Sequence, residues 1–279
     1  MQRDAYTLMA AAERDHWWFR GRRLFIEAAL QRAAPRAGGH LLDAGCGSGG
    51  NLALLARFGT VCGFEYDDEA RAVAAALDVG EVQPGALPHA IPFGERRFDV
   101  IGLFDVLEHL AEPVPSLRAL GARLAPDGAL VLTVPAIPWL WGPHDEIHGH
   151  HRRYTAATLR AHAEAAGLRV AYCSSINLLL LPLAVAQRLR ERVLGYRPEA
   201  LTPSPLVNRL LYAVWRLERL VVPRGRLPLG LSLLAILRRA DDAADDAADD
   251  AADHAADHAA DHAADDAADD AADDAVGTR

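Results

Sequence analysis

Apolar residues along this chain arrive in two rhythms. Short continuous runs read as strands buried on both faces: Leu41-Leu42, Val61 to Phe64, Phe98 to Phe104, Ala129 to Val134 and Leu168 to Ser174. A shorter strand is predicted near Glu81 to Gln83, and Pro228 to Arg238 closes the series. Between the runs the spacing is helical. Leu52, Leu55 and Ala56 share one face of a helix predicted to stop at Gly59 in a left-handed cap. Asp67-Asp68-Glu69 opens the next helix with acids that suit its amino end. Another runs to Leu124 before the turn Ala125-Pro126-Asp127-Gly128, and Thr155 caps one that Gly167 ends. Ahead of the first strand, residues 4–33 are predicted as helix, broken by Pro35 to Gly39. Adjacent Trp17 and Trp18 cannot share one helical face, so one is expected on the sheet and the other toward a cleft or solvent. Strands alternating with helices of this length imply a parallel sheet with right-handed crossovers.

The rhythm changes after Ile176. Two helical stretches, about 177–195 and 205–222, stand where one crossover would suffice, and a strand follows them. The run Ile176 to Ala186 is too short for a membrane span, which needs ~20 residues. From Asp241 on, the chain repeats Asp-Asp-Ala-Ala or Asp-His-Ala-Ala. A four-residue step advances ~40° around a helix, so the acids wind through every face and leave none to bury. A solvated, fraying helix or disorder is expected there. Composition is therefore best read in two parts. The whole chain has 279 residues and a formal charge of −9, but taking away the tail's fifteen Asp and final Arg leaves the rest at +5. We expect one large domain over 1–239 and a low-complexity tail over 240–279. Three cysteines without metal-type spacing read as free thiols in a reducing cytosol, and the opening residues lack the apolar core of a signal peptide. No basic–aromatic strip points to nucleic acid.

The chemistry concentrates at Leu41 to Gly50, LLDAGCGSGG, a strand running into a glycine turn and a helix. Such a turn lets backbone approach a ligand closely and offers free N–H groups. The string Gly45-x-Gly47-x-x-Gly50 also matches a dinucleotide fingerprint, so a nicotinamide-dependent oxidoreductase is one candidate. Asp43 argues otherwise, because a carboxylate beside the turn repels a pyrophosphate. Glu65, ending the next strand, stands where an acid accepts ribose hydroxyls. Two acids flanking a glycine turn suit a ligand with a ribose and a cationic amino-acid end, and S-adenosylmethionine has both.

On these residues, and on HWWFRGRR, FDVIGLFDVLEHL, LTVPAIPWLWGPHDEIHGHHRRYT and LPLGLSLLAILRR, the stretch Asp4 to Arg239 resembles the class I S-adenosylmethionine-dependent methyltransferases. The resemblance implies a Rossmann-like α/β fold with seven strands, helices on both faces and an antiparallel last strand. It places residues 176–226 as a helical insertion before that strand. Asp43, Gly45, Cys46, Gly47, Glu65, Tyr66, Phe104 and Asp105 become candidates for holding S-adenosylmethionine, with Trp17, Trp18 and Arg22 over it. Many members carry an acid where this chain has Ala86, so adenine is expected on the backbone of Ala86 and Leu87. His109 and His144 are candidate general bases. The loop with His144, Asp145, His148, His150 and His151 matches no compact zinc pattern, and no metal is expected. Leu178 to Leu183 with Arg188, Arg190 and Arg192 read as a cation-edged apolar lid, giving a lipid-like or quinone-precursor acceptor and peripheral contact with the inner membrane face. A cytoplasmic enzyme is expected; the competing expectation is a non-catalytic binding protein on the same fold.

Overall fold

A computed structural model describes residues 15–195, 203–222 and 225–242. The start of the predicted first helix and nearly all of the tail, with His254, His258 and His262, lie outside the described residues. The chain divides into compact units between Arg239 and Ala240.

Seven strands form one sheet: β1 (His40–Ala44), β2 (Thr60–Glu65), β3 (Glu81–Pro84), β4 (Phe98–Phe104), β5 (Leu124–Pro135), β6 (Leu168–Ile176) and β7 (Ser232–Arg239). Their order is β3-β2-β1-β4-β5-β7-β6, parallel except for β7, which runs against both β5 and β6. Helices are α1 (Trp17–Ala33), α2 (Leu52–Leu55), α3 (Asp68–Ala75), α4 (Pro113–Gly121), α5 (Pro143–Ile147), α6 (Ala156–Ala165), α7 (Leu181–Leu194) and α8 (Pro205–Glu218). Strand alternation divides the core. Leu41 and Val131 pack with Phe25, Ile26 and Leu30 of α1, while their neighbours Leu42 and Leu132 pack with Leu117 and Leu120 of α4 and Leu159 of α6. The sheet is thus covered on both sides, which is why its strands read as unbroken apolar runs.

Local signals held, apart from the helix expected to reach Leu124 and the turn expected at Ala125 to Gly128, since α4 ends at Gly121 and β5 already begins at Leu124, and apart from two further exceptions. His16 caps α1 by accepting from the Trp18 amide at 3.3 Å, and Ala34 closes it in the left-handed region. Asp67 accepts from Glu69 and Ala70 amides, both at 3.0 Å, to start α3. The helix after the glycine turn, however, is a single turn ending at Leu55, and Gly59 is not its left-handed cap. A Cβ there would stand 2.3 Å from the Gly39 carbonyl, so close approach between two loops demands this glycine. The second exception is the tryptophan pair. Both rings gather around Trp215 of the insertion, at centroid separations of 6.3 Å for Trp17 and 5.3 Å for Trp18, and neither placement predicted from helical geometry alone describes them.

That contact anchors the insertion. Trp215 is buried between α8 and α1 at Gly21, where a Cβ would stand 2.5 Å from the indole. Asn208 fastens the same helix pair, accepting from the Trp17 amide and donating to the Asp15 carbonyl, both at 2.8 Å. Buried Glu218 accepts from the amides of Asn177, Leu178 (3.0 Å) and Leu179 (3.3 Å), turning the chain out of β6 toward α7. Arg188, expected at the rim of an apolar surface, is instead buried and pairs with Glu191 at 2.7 Å. A guanidinium on the inner face of α7 finds a carboxylate one turn on, where solvent is absent. Among the described residues, no helix is long and apolar enough to cross a membrane.

Candidate active site at the carboxyl edge of the sheet

Chain order reverses between β1 and β4, so the loops after these strands diverge and leave a crevice, the usual ligand position in open α/β sheets. Gly45 and Gly47 take positive φ, 72° and 53°, to turn the chain at the end of β1. The turn lies against the loop after β4: a Cβ on Gly45 would come within 2.9 Å of Val106.

Glu65, at the end of β2, reaches across to this turn. One carboxylate oxygen accepts from the Gly47 amide and the other from the Asp67 amide, both at 2.9 Å. Each oxygen keeps a lone pair for a further donor. A cavity of about 610 Å³ opens beside it, lined by Tyr66, Asp67, Asp68 and Glu69, with Tyr66 exposed. Cys46 faces away from chemistry: burial, reinforced by Asp43 and Glu65, holds its thiol far above the usual range. Asp43 departs from expectation. It is only 1% exposed and lies in register between Gly63 and Gly102, under the turn and not in open space. The space above the two glycines is taken by the Cys46 side chain at Gly63 and by the Phe104 ring at Gly102.

Asp105 follows β4 with φ of 53°. It pairs with Arg22 of α1 and accepts from the Thr133 hydroxyl at 2.8 Å. The structure therefore brings together two predicted residues more than eighty positions apart. Phe104 is buried beneath them. Ala86 is committed elsewhere, since its N–H and carbonyl both bond Ala90, at 2.9 and 2.8 Å. A hydrogen bond from the Ala86 amide to an adenine would have to displace that bridge, which shifts the expected backbone role toward Leu87.

The histidine-rich loop folds back over the 3-10 turn Leu107–His109. The His151 amide donates to the Glu108 carbonyl at 2.8 Å, and the His109 ring stands edge-on to His150 with centroids 4.6 Å apart. Buried Asp145 organises the loop. Its carboxylate accepts from His150 Nδ1 (2.9 Å), Arg153 Nε (2.8 Å) and the Gly142 amide (3.0 Å). Burial works to raise the Asp145 pKa, but these bonds outweigh it and hold the carboxyl well below the usual range. Burial pushes Glu108 up to about 8. Burial, with His150 beside it, brings His109 down to about 4; burial and neighbouring His148 do the same for His144. Both rings stay neutral at physiological pH and able to accept a proton, though weakly. The sequence marks the acids and histidine of 105–109 and the loop holding Asp145 and His150 as two separate places for chemistry; that Glu108 and His150, 42 positions apart, come together was not foreseen. The loop's density of ionisable side chains was the available signal.

A family model described as a methyltransferase domain matches residues 18–172. A Mycolicibacterium smegmatis protein named "Probable S-adenosylmethionine-dependent methyltransferase" is 31% identical over 169 residues, covering 59% of this chain and 63% of that protein. A ubiquinone biosynthesis O-methyltransferase of Ralstonia nicotianae is 32% identical over 108 residues, 36% of this chain and 44% of that protein. The chain thus matches less than two thirds of the length of these curated relatives. Among solved structures, a chain of the Haloferax volcanii complex containing the Trm112 methyltransferase activator aligns with a TM-score of 0.55 at 22% identity, covering 85% of this chain and 96% of that one. The [4+2]-cyclase SpnF aligns at 0.52 and 19% identity, covering 78% and 81%. At these identities the structural likeness establishes the fold alone, and a cyclase among the neighbours shows why.

Proposed function

The chain belongs to the class I S-adenosylmethionine-dependent methyltransferase family, and we propose that it transfers a methyl group from S-adenosylmethionine to a small apolar acceptor of the quinone-precursor or lipid-like class. The observation that carries the methyl-donor part is Glu65. Its carboxylate is fixed by two amides at the mouth of the crevice, with lone pairs left for the ribose hydroxyls. The glycine turn would take the methionine end, and Arg22, Asp105 and Trp18 would close over it. The donor supplies a methyl on a sulfonium, ready for in-line displacement. The chain's own part is to align donor and acceptor, exclude water and, for an oxygen nucleophile, accept a proton. His109 and His144 are the candidate proton acceptors, neutral but weakly basic.

Support for the acceptor class comes from the ubiquinone O-methyltransferase relatives and from the insertion. Its helices leave Leu183, Leu189, Val193, Leu206 and Leu210 exposed, with Arg190 and Arg192 exposed beside them. Such a face suits an apolar acceptor delivered from an anionic membrane surface. The test is incubation with methyl-labelled S-adenosylmethionine and a metabolite extract, followed by partition of label. Lipid-soluble labelled product is expected; label confined to aqueous or macromolecular fractions overturns the acceptor class.

A further inference from the structure

We propose that Arg152, Tyr154 and His162 line a site for the phosphate group of a phosphate ester, on the side of the sheet covered by α4 and α6. Tyr154 follows the end of β5: its amide donates to the Pro135 carbonyl at 2.8 Å, and its ring packs into the same core as Leu117 and Leu159. A cavity of about 380 Å³ opens beside it, lined by Pro113, Arg152, Arg153, Tyr154, Thr158 and His162. None of these residues lines the cavity next to Glu65.

Three polar atoms at this cavity are buried without a hydrogen-bond partner: Arg152 Nη1, the Tyr154 hydroxyl and His162 Nδ1. Tyr154 is 1% exposed, so bulk solvent does not serve its hydroxyl. Buried polar groups are nearly always paired, and three orphans at one opening point to a ligand that engages them together. All three can donate: an N–H of the guanidinium fork, a phenol O–H and, in the Nδ1–H tautomer, an imidazole N–H. The partner that suits three donors at once is an anion rich in acceptor oxygens. Charge agrees with this. Arg153 is spent on Asp145 and the Ala136 carbonyl, whereas Arg152 gives Nη2 to the Ala111 carbonyl at 3.4 Å, a neutral partner that leaves its charge uncompensated. Burial raises the Tyr154 pKa and lowers that of His162, and Arg152 acts next on each, so its guanidinium lies close to both rings while completing no bond to the hydroxyl. The rings themselves meet edge-on with centroids 5.6 Å apart. Two helix amino ends face the same opening, since Pro113 is the first residue of α4 and Thr158 belongs to the first turn of α6, and both dipoles favour an anion. The acids nearby do not oppose it. Glu112 is exposed and pairs with His89 at 3.7 Å, and burial pushes Glu108 up to about 8, which leaves it mostly neutral. A guanidinium fork with a hydroxyl and an imidazole matches the oxygens of a tetrahedral phosphate, and the cavity is larger than that group alone. The site does not depend on the methyl acceptor proposed above.

Isothermal titration of the full chain with glycerol 3-phosphate at fixed ionic strength tests the site for a soluble ester. Cosedimentation with phosphatidylcholine vesicles carrying phosphatidic acid, or phosphatidylglycerol at matched charge, tests it for a lipid headgroup. R152Q should weaken binding ~10- to 100-fold, as expected for a lost charged hydrogen bond, and Y154F, which keeps the buried ring, ~2- to 10-fold. Melting temperatures are recorded for both, and should R152Q unfold, Y154F decides. Saturable binding of glycerol 3-phosphate that these variants weaken supports the site and a soluble ligand. Indifference to it, with a preference for phosphatidic acid that the variants abolish, supports the site and a lipid ligand. Binding unchanged in the folded variants, or no binding of either probe, overturns the site. Vesicle binding that is lost in R190Q and R192Q but kept in R152Q belongs to the insertion and, without binding of the soluble ester, overturns it too. Both site variants should bind S-adenosylmethionine like the parent; a parent that fails to bind it counts against the proposed function and not against this site.

Discussion

Changing Glu65 to Gln probes the donor site at its best-defined point. The carboxylate now accepts two amide hydrogens at 2.9 Å, from Gly47 and Asp67, and has lone pairs left for two ribose hydroxyls. Glutamine keeps the shape but replaces one acceptor oxygen with an NH2, which would face either a backbone N–H or a hydroxyl. Hydrogen bonds to charged groups contribute about 1.5–3 kcal/mol. Glu65 is half-buried, so solvent screening favours the lower end of that range. At about 1.4 kcal/mol per tenfold, the dissociation constant for S-adenosylmethionine should rise ~10-fold, and by no more than ~100-fold. Isothermal titration with S-adenosylmethionine and S-adenosylhomocysteine measures this, and both should weaken together because they share the ribose. The Gly47 turn is held by the same carboxylate, so thermal unfolding must be followed in parallel. An E65Q protein that melts like the parent and binds within threefold of it would refute the assignment of Glu65 to the ribose.

Other expectations follow from the packing. Gly21→Val should destabilise by ~1–3 kcal/mol or prevent folding, since its Cβ would stand 2.5 Å from the buried Trp215 ring; a wild-type denaturation curve would contradict the α1–α8 contact. Glu218→Ala leaves three amides at the entry to α7 without their acceptor, and should cost about 3 kcal/mol, with faster proteolysis of the insertion than of the sheet. Cys62, whose thiol burial raises to about 11, should resist a disulfide reagent at pH 8 in the native state and react on unfolding. Rapid native modification of Cys62 would place it outside the strand.

Much of this architecture was legible without coordinates because it depends on local, periodic information. Runs such as Val61 to Phe64 and Phe98 to Phe104 are apolar on both faces only if helices cover both faces, and Asp67 and Thr155 announce helix starts through bonds to amides two or three residues on. The glycine turn and Glu65 belong to the same class: strand length and β1–β2 adjacency place them together almost automatically.

What spacing could not convey was which side of the backbone each charged group meets. The spacing of Asp43 placed it beside the glycine turn, but only pairing of β1 with β2 and β4 on both flanks buried it to 1% exposure. Arg188 looked like a surface cation and became a buried partner of Glu191 when α7 docked. The tryptophans found Trp215, roughly two hundred residues away, because a distant glycine left a recess for it. Glu108 and His150 met only when the loop after β5 folded back onto the end of β4. In each case hydrophobic periodicity specifies an element and its buried face, whereas the partners across that face are set by how the elements dock, a relation between distant segments that no local pattern records.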